Sequence, residues 1–184
     1  MKNISKSLLA AAISLGLMAG CNSQNDSETP TPMVRFATFN LSFDRTAPGM
    51  LSGELALDRA AQDALLARYQ EGDASLGKAE ITQAKNVQQI RNIAEIVQRT
   101  RPDVFLLNEF DNDGKGESTT DLKAFNDNYL AHAQHGEVQA ISYPVMQNFA
   151  TNTGLMSGHD LNLDGKRSSG PDDAWGFGNY HGQY

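Results

Sequence analysis

Polar and apolar positions alternate over residues 33–43, MVRFATFNLSF, just after a Pro-containing stop. The β-branched and aromatic content of this stretch predicts a strand that ends near Asn40. Pro48, Gly49 and Gly53 mark residues 44–53 as a loop. Leu57, Ala60, Ala61, Ala64, Leu65 and Tyr69 then recur at helical spacing, which predicts a helix over 55–70, broken by Gly72 and Gly77. A longer helix is predicted over 78–100, with Ile81, Val87, Ile90, Ala94 and Val97 on one face and Lys85, Gln88, Gln89, Arg91 and Glu95 on the other. Pro102 stops it and biases Arg101 toward extended backbone.

Residues 103–109, DVFLLNE, hold four consecutive apolar side chains. Such a run predicts a strand buried on both faces, as in a parallel sheet covered by helices. Strand, helices, strand is the order of a crossover that leaves its two strands parallel. After a loop over 110–118, a helix is predicted over 119–134, with Leu122, Phe125, Tyr129 and Leu130 inward and Asp121 near its start. A third strand is expected over 143–150, with Pro144 at its beginning, where a missing N–H is tolerated. The fold class is therefore α/β.

Residues 151–184 break this rhythm. They contain seven of the sixteen Gly and four Asp, with no apolar run. Structureless segments of this length are uncommon unless they bind something. Trp175, Phe177, Tyr180 and Tyr184 stand among the glycines, placed either to pack the loop onto the body or to offer a stacking platform.

At the other end, residues 8–20, LLAAAISLGLMAG, follow a short basic start with Lys2 and Lys6. Thirteen helical residues span roughly 20 Å, short of the roughly 30 Å hydrocarbon core, so the segment is a signal-peptide h-region and not a membrane span. Residues 22–32, NSQNDSETPTP, lack apolar side chains and suit a flexible tether. Cys21 is the only cysteine, which excludes an internal disulfide and a Cys-rich zinc site.

Leu17-Met18-Ala19-Gly20-Cys21 resembles the bacterial lipoprotein lipobox, with Met18 where Leu is more usual. The resemblance implies a signal peptide over 1–20, lipidation at Cys21, a tether over 21–32, and a body held at the cell envelope. That placement is on the outer membrane, facing the periplasm, or outside the cell.

Fifteen basic against 22 acidic residues give a net charge of −7, or −9 once the first twenty residues are set aside. Such a chain has no broad attraction for nucleic acid phosphates, so a phosphate substrate must be met by a local cation or a metal ion.

Two polar residues sit at the carboxyl ends of the two clearest strands, Asn40 and Glu109. Ligands collect at such strand ends in open α/β sheets. A carboxylate beside an amide suits a hard divalent ion such as Mg2+ or Mn2+; a turn former and a solvated strand end would use the same two residues. Farther on, Asp160-x-Asn162-x-Asp164-Gly165 places oxygens at alternate positions before a Gly, as calcium loops begin. Pro171 stands where an EF-hand needs its closing Glu, so a Ca2+ loop here would close through Asp172 or Asp173, or else the segment uses Asp and Asn for turns alone. Asp111 and Asp113 with Gly114 form a weaker acidic group beside Glu109. His132 and His135 suit a surface or capping role.

The segment Val34-Arg35-Phe36-Ala37-Thr38-Phe39-Asn40 resembles the first strand of the endonuclease/exonuclease/phosphatase superfamily. Residues 86–109, NVQQIRNIAEIVQRTRPDVFLLNE, look like its next helix and strand, with Asn108 in place of the more common Gln. The match covers residues 33–110; Asn152-Thr153-Gly154 through Gly182-Gln183-Tyr184 resembles a loop of secreted bacterial members. The resemblance implies a four-layer α/β sandwich and a metal-dependent phosphoesterase, acting on nucleic acid or a small phosphate ester. Glu109 would be the metal-binding Glu, and Asn40 the first-strand Asn near metal and phosphate. The family completes its site with an Asp-x-Asn pair, a later Asp and a catalytic His. Asp160-Leu161-Asn162 lacks the preceding apolar strand, and none of His132, His135, His159 or His181 has the flanking pattern of that His. The expectation is therefore the N-terminal part of such a domain over 33–184, with little activity. The alternative is a non-enzymatic calcium-binding surface lipoprotein that works through residues 151–184.

Overall fold

A computed structural model describes residues 33–111 and 115–176. The signal segment, Cys21, the tether, Asp113, Gly114, Phe177, Tyr180, His181 and Tyr184 lie outside the described residues. The fold is mixed α/β, with one two-stranded parallel sheet and four α-helices among the described residues. Strand β1 spans Phe36–Phe43 and β2 spans Val104–Phe110. Between them run α1 (Met50–Leu55), α2 (Arg59–Gln70) and α3 (Lys78–Thr100). After β2 come α4 (Thr120–Phe125), a π-helical turn (Asn126–Leu130) and a short 3-10 turn (Pro171–Asp173). Among the described residues no helix is long and apolar enough to cross a membrane.

Helix α3 has the predicted bounds. The Glu80 carboxylate reaches back to accept the Gly77 N–H at 2.9 Å, satisfying a donor that the first turn leaves open. The helix buries Ala84, Val87, Ile90, Ala94 and Val97. Each fully buried Val or Ile contributes about 1.5–3 kcal/mol over leaving it exposed. At its end Arg101 is left-handed (φ 47°, ψ 59°), not extended as the following proline suggested. Pro102 disfavours only the right-handed helical well at Arg101, and the left-handed cap turns the chain directly into β2. There the N–H groups of Asp103 and Val104 donate to the Arg35 carbonyl, and the Asp103 carboxylate accepts the Arg35 N–H at 2.7 Å. This clamp sets the register Phe36↔Val104 through Asn40↔Asn108.

Three expectations fail locally. Residues 44–53 are not all loop: α1 starts at Met50, after Gly49 at φ 79°, and is held by the burial of Leu51, Glu54 and Leu55. The next helix starts at Arg59 and not at 55, because the Asp58 side chain caps it by accepting the Ala61 N–H at 2.8 Å. The helix expected over 119–134 ends at Phe125 and widens into the π-turn, where Ala131 N–H donates to the Asn126 carbonyl five residues back. The wider turn brings Phe125, Tyr129 and Leu130 inward together.

Two more differences concern the sheet. Only one face of β2 is covered among the described residues. Phe105 and Leu107 pack on the core, whereas Val104 (49% exposed), Leu106 (54%) and, on β1, Phe36 (75%) point outward. The continuous apolar run was thus no proof of two-sided burial. Residues 143–150 form no strand; no ladder joins them to β2 among the described residues. They are held otherwise: Asn126 Oδ1 accepts the Tyr143 backbone N–H at 2.7 Å, and the Asn148 side-chain Nδ2 donates to the Ser118 carbonyl.

The core sits between the covered face of the sheet and the helices. Phe43, Phe110, Phe125 and Tyr129 form a chain of ring contacts 5.8–6.3 Å apart, packed with Leu41, Leu55, Val87 and Ile90. Beside it lies a buried ion pair. Arg45 Nε donates to Glu54 Oε2 at 2.7 Å, and Asn86 Nδ2 donates to the other carboxylate oxygen at 2.6 Å.

Candidate functional site

The parallel ladder places Asn40 opposite Asn108, one residue before Glu109. Both Asn side chains take the outer face: Asn108 Nδ2 donates to Thr38 Oγ1 at 2.8 Å, and Thr38 precedes Asn40 by one full pleat. Beyond this pair the ladder slips. The next pairing is Phe43↔Phe110, so Leu41 and Ser42 oppose the single Glu109. Such a bulge re-aims side chains and recurs near functional sites. It is accommodated by two left-handed residues, Ser42 at φ 50° and Glu109 at φ 54°. That conformation is costly for residues other than Gly and persists only where the surroundings impose it.

The slip restores Phe43 and Phe110 to the core side by side, with ring centroids 5.9 Å apart. Glu109 is left between an outward Asn108 and an inward Phe110. It is half-buried, and among the described residues its carboxylate accepts no hydrogen bond and joins no ion pair. Asn40 is more committed. Its Oδ1 accepts the Ser42 N–H at 3.0 Å and the Ser42 hydroxyl at 3.4 Å. With the oxygen turned back to Ser42, the amide N–H2 is the end left to meet a ligand.

Asn40 and Glu109 both line a cleft of about 660 Å³. Its walls include the length of β2, Leu122 and Phe125 from α4, and residues 145–151. Phe105 and Tyr143 face each other across 6.5 Å, and the Tyr143 hydroxyl donates to the Pro102 carbonyl at 2.8 Å. Burial pushes the Tyr143 hydroxyl above its ordinary range, with Arg101 opposing and Asp103 reinforcing, so it stays a neutral donor. None of the described histidines lines the cleft. His135 Nδ1 accepts the Glu137 N–H, and the His132 carbonyl accepts Gln98 Nε2, which are turn and capping contacts.

The Asp160 loop is folded on its own oxygens. Asp160 accepts the N–H groups of Asp164 and Gly165, both at 2.9 Å; Asn162 Oδ1 accepts that of Asp164, and Asp164 accepts that of Lys166. Asp173 is buried beneath this loop and accepts the N–H groups of Leu161 and Ser169. The Ser169 N–H first, then those of Leu161 and Asn162, hold its carboxyl below the ordinary range against the cost of burial. The predicted Ca2+ residues Asp160, Asn162 and Asp164 are thus adjacent, but they satisfy backbone donors. Among the described residues no group of three or more His, Cys, Asp or Glu is placed to hold a metal ion. Trp175 closes the loop through its backbone, its N–H donating to Leu155, while its side chain stays 45% exposed.

The sequence reading set Asn40 beside Glu109; the register pairs Asn40 with Asn108, the residue before Glu109, and neither Asn108 nor the left-handed backbone at Glu109 was foreseen. The bulge has no turn-forming signature; neither Ser42 nor Glu109 is a residue that announces a positive φ. Comparison with protein-family models, curated proteins and solved structures finds no match to this chain.

Proposed function

We propose that this chain carries the metal-binding strand pair of a phosphoesterase site, within the N-terminal part of a four-layer α/β domain of the endonuclease/exonuclease/phosphatase kind. The observation that carries the reading is the uncommitted Glu109 carboxylate at the bulged carboxyl end of β2, one ladder step from Asn40. The donor set fits a weak site for Mg2+ or Mn2+: one carboxylate, with water completing the shell. Asn40 then serves less as a ligand than as a donor, its N–H2 aimed at a phosphate oxygen. An ion held by Glu109 supplies positive charge to the phosphate, which the chain's own acidic balance does not. Asn40 orients the ester, and the bulge at the end of β2 places Glu109 beside it. The body is carried at the envelope by lipid on Cys21.

Hydrolysis of bis(4-nitrophenyl) phosphate with Mg2+ or Mn2+ tests this reading. Turnover near background is expected, because among the described residues no His joins Glu109 in the cleft and the Asp103 carboxylate is taken by the Arg35 N–H, and Glu109→Gln should remove what turnover there is. A robust rate that survives Glu109→Gln contradicts the assignment.

The Asp160 loop supports a second reading, calcium binding, on one observation: its carboxylates are already gathered around a closed turn anchored by Asp173. Calcium-dependent protection of residues 157–173 from proteolysis, with Glu109→Gln having no effect on it, would favour this role.

A further inference from the structure

We infer that the cleft along β2 is a binding site for a single-chain amphiphile with a cationic head, a role that goes beyond the phosphoester reading and does not need its metal. The cleft of about 660 Å³ lies within the range of small-molecule sites. Its length follows a seven-residue strand, which extends roughly 23 Å at about 3.3 Å per residue. Its lining is mostly apolar, with Phe105, Leu107, Leu122, Val145, Met146 and Phe149 contributing. Val145 (85% exposed) and Phe149 (68%) are large apolar side chains held at the solvent boundary, uncovered by any of the described residues. The backbone that carries Phe149 is fixed: Gly116 at φ 72° packs so closely that a Cβ there would lie 2.2 Å from the Ala150 nitrogen.

Charge selects the head group. Among the described residues the lining contains two carboxylates, Asp103 and Glu109, and no Lys, Arg or His. Asp103 is fixed by its bond to the Arg35 N–H, whereas Glu109 stands free at the end where Asn40 and Asn108 add polar groups. An apolar chain laid along β2 therefore ends at a carboxylate that no cation among the described residues neutralises. A quaternary or primary ammonium matches that end; a sulfate or phosphate head without a metal meets only like charge.

The test uses the full chain in EDTA and titrates decyltrimethylammonium and decyl sulfate below their micellar concentrations. Saturable one-to-one binding of the cationic probe is expected, at least tenfold tighter than the anionic probe of equal chain length. Phe149→Ser and, separately, Val145→Ser should weaken both probes severalfold with the helical dichroism unchanged. Glu109→Gln should remove most of the head preference, weakening the cationic probe and leaving decyl sulfate no weaker than before. Equal affinity for the two heads, non-saturable uptake, or binding indifferent to both wall substitutions overturns the proposal and places the chain on another apolar surface. Because EDTA is present throughout, absence of Mg2+ binding at Glu109 would leave this result standing, and the reverse also holds.

Discussion

Asn40 of β1 stands across a parallel ladder from Asn108 of β2, and the next pair in register is Phe43 with Phe110. Two residues of one strand thus oppose one of the other, and the one is Glu109. The slip lets both phenylalanines enter the core while a carboxylate remains at the strand end. The packing of Phe43 against Phe110 and the position of Glu109 are thus set by one slip in register.

The buried pair Arg45–Glu54 should be the most sensitive polar contact in the core. Its side chains are 5% and 3% exposed, and Glu54 also accepts from Asn86. Arg45→Met alone leaves a carboxylate without its guanidinium and should cost about 3–5 kcal/mol in urea unfolding. Arg45→Met combined with Glu54→Gln should cost clearly less. Equal losses for the single and double substitutions would show that the pair contributes only packing.

The outward face of the sheet makes the opposite prediction. Phe36 and Leu106 are more than half exposed, so Phe36→Ser with Leu106→Ser should change stability by no more than about 0.5 kcal/mol. The same double substitution should reduce binding of a hydrophobic dye severalfold, because contiguous apolar surface is what such dyes report. A loss of several kcal/mol would mean that this face is covered in solution.

These two predictions show where the sequence could be read and where it could not. Helix α3 was legible to the residue because 23 positions repeat one amphipathic pattern and end at a proline. The pairing of β1 with β2 followed from strand–helix–strand order. The six-residue α1 was not legible: Gly53 weakens it from within, and it is held by Glu54 meeting Arg45 of the preceding loop and Asn86 of α3. The π-turn at Asn126 was hidden for the same reason, since only the core decides that Phe125, Tyr129 and Leu130 all turn inward. Residues 143–150 carry a strand-like pattern, but a pattern supplies no partner edge, and Asn126 takes the Tyr143 N–H instead. At the site, the residue types at 40 and 109 pointed to the strand ends; the left-handed backbone that sets Glu109 apart depends on the register of two strands and is invisible in either alone.

Asp73 gives a pH-dependent prediction. Hydrogen bonds from the Ser75 hydroxyl, then Arg68 and the Ser75 N–H, lower its carboxyl to about 2. A depressed carboxyl contributes stability that is fully present above its unfolded value, near 3.8, and is lost as pH falls toward about 2. The urea midpoint of wild type should therefore exceed that of Asp73→Asn by a constant margin at pH 5–7, and the margin should close between about pH 4 and 2. A margin unchanged down to pH 2 would remove the charge from the explanation.

Lipidation at Cys21 is checked by metabolic labelling with a palmitate analogue. Wild type should take up label and partition into the detergent phase; Cys21→Ala should do neither. Two acyl chains give stable anchoring where one is marginal, so partial partitioning of wild type would indicate incomplete acylation. Unlabelled, aqueous wild type would contradict the anchor.

Whether Glu109 holds a hard divalent ion beside Asn40 is measured, without requiring turnover, by Mn2+ binding followed through the electron spin resonance of the free ion. One carboxylate is a poor cage for an ion that dehydrates reluctantly, so a single site with a dissociation constant on the order of 1 mM is expected, with Mg2+ competing. Glu109→Gln should abolish it. Asn40→Ala should weaken phosphate-dependent retention of the ion but leave binding of the ion alone within about twofold. Wild-type binding that is undetectable at 10-fold higher concentration, or binding that persists unchanged in Glu109→Gln, contradicts the account.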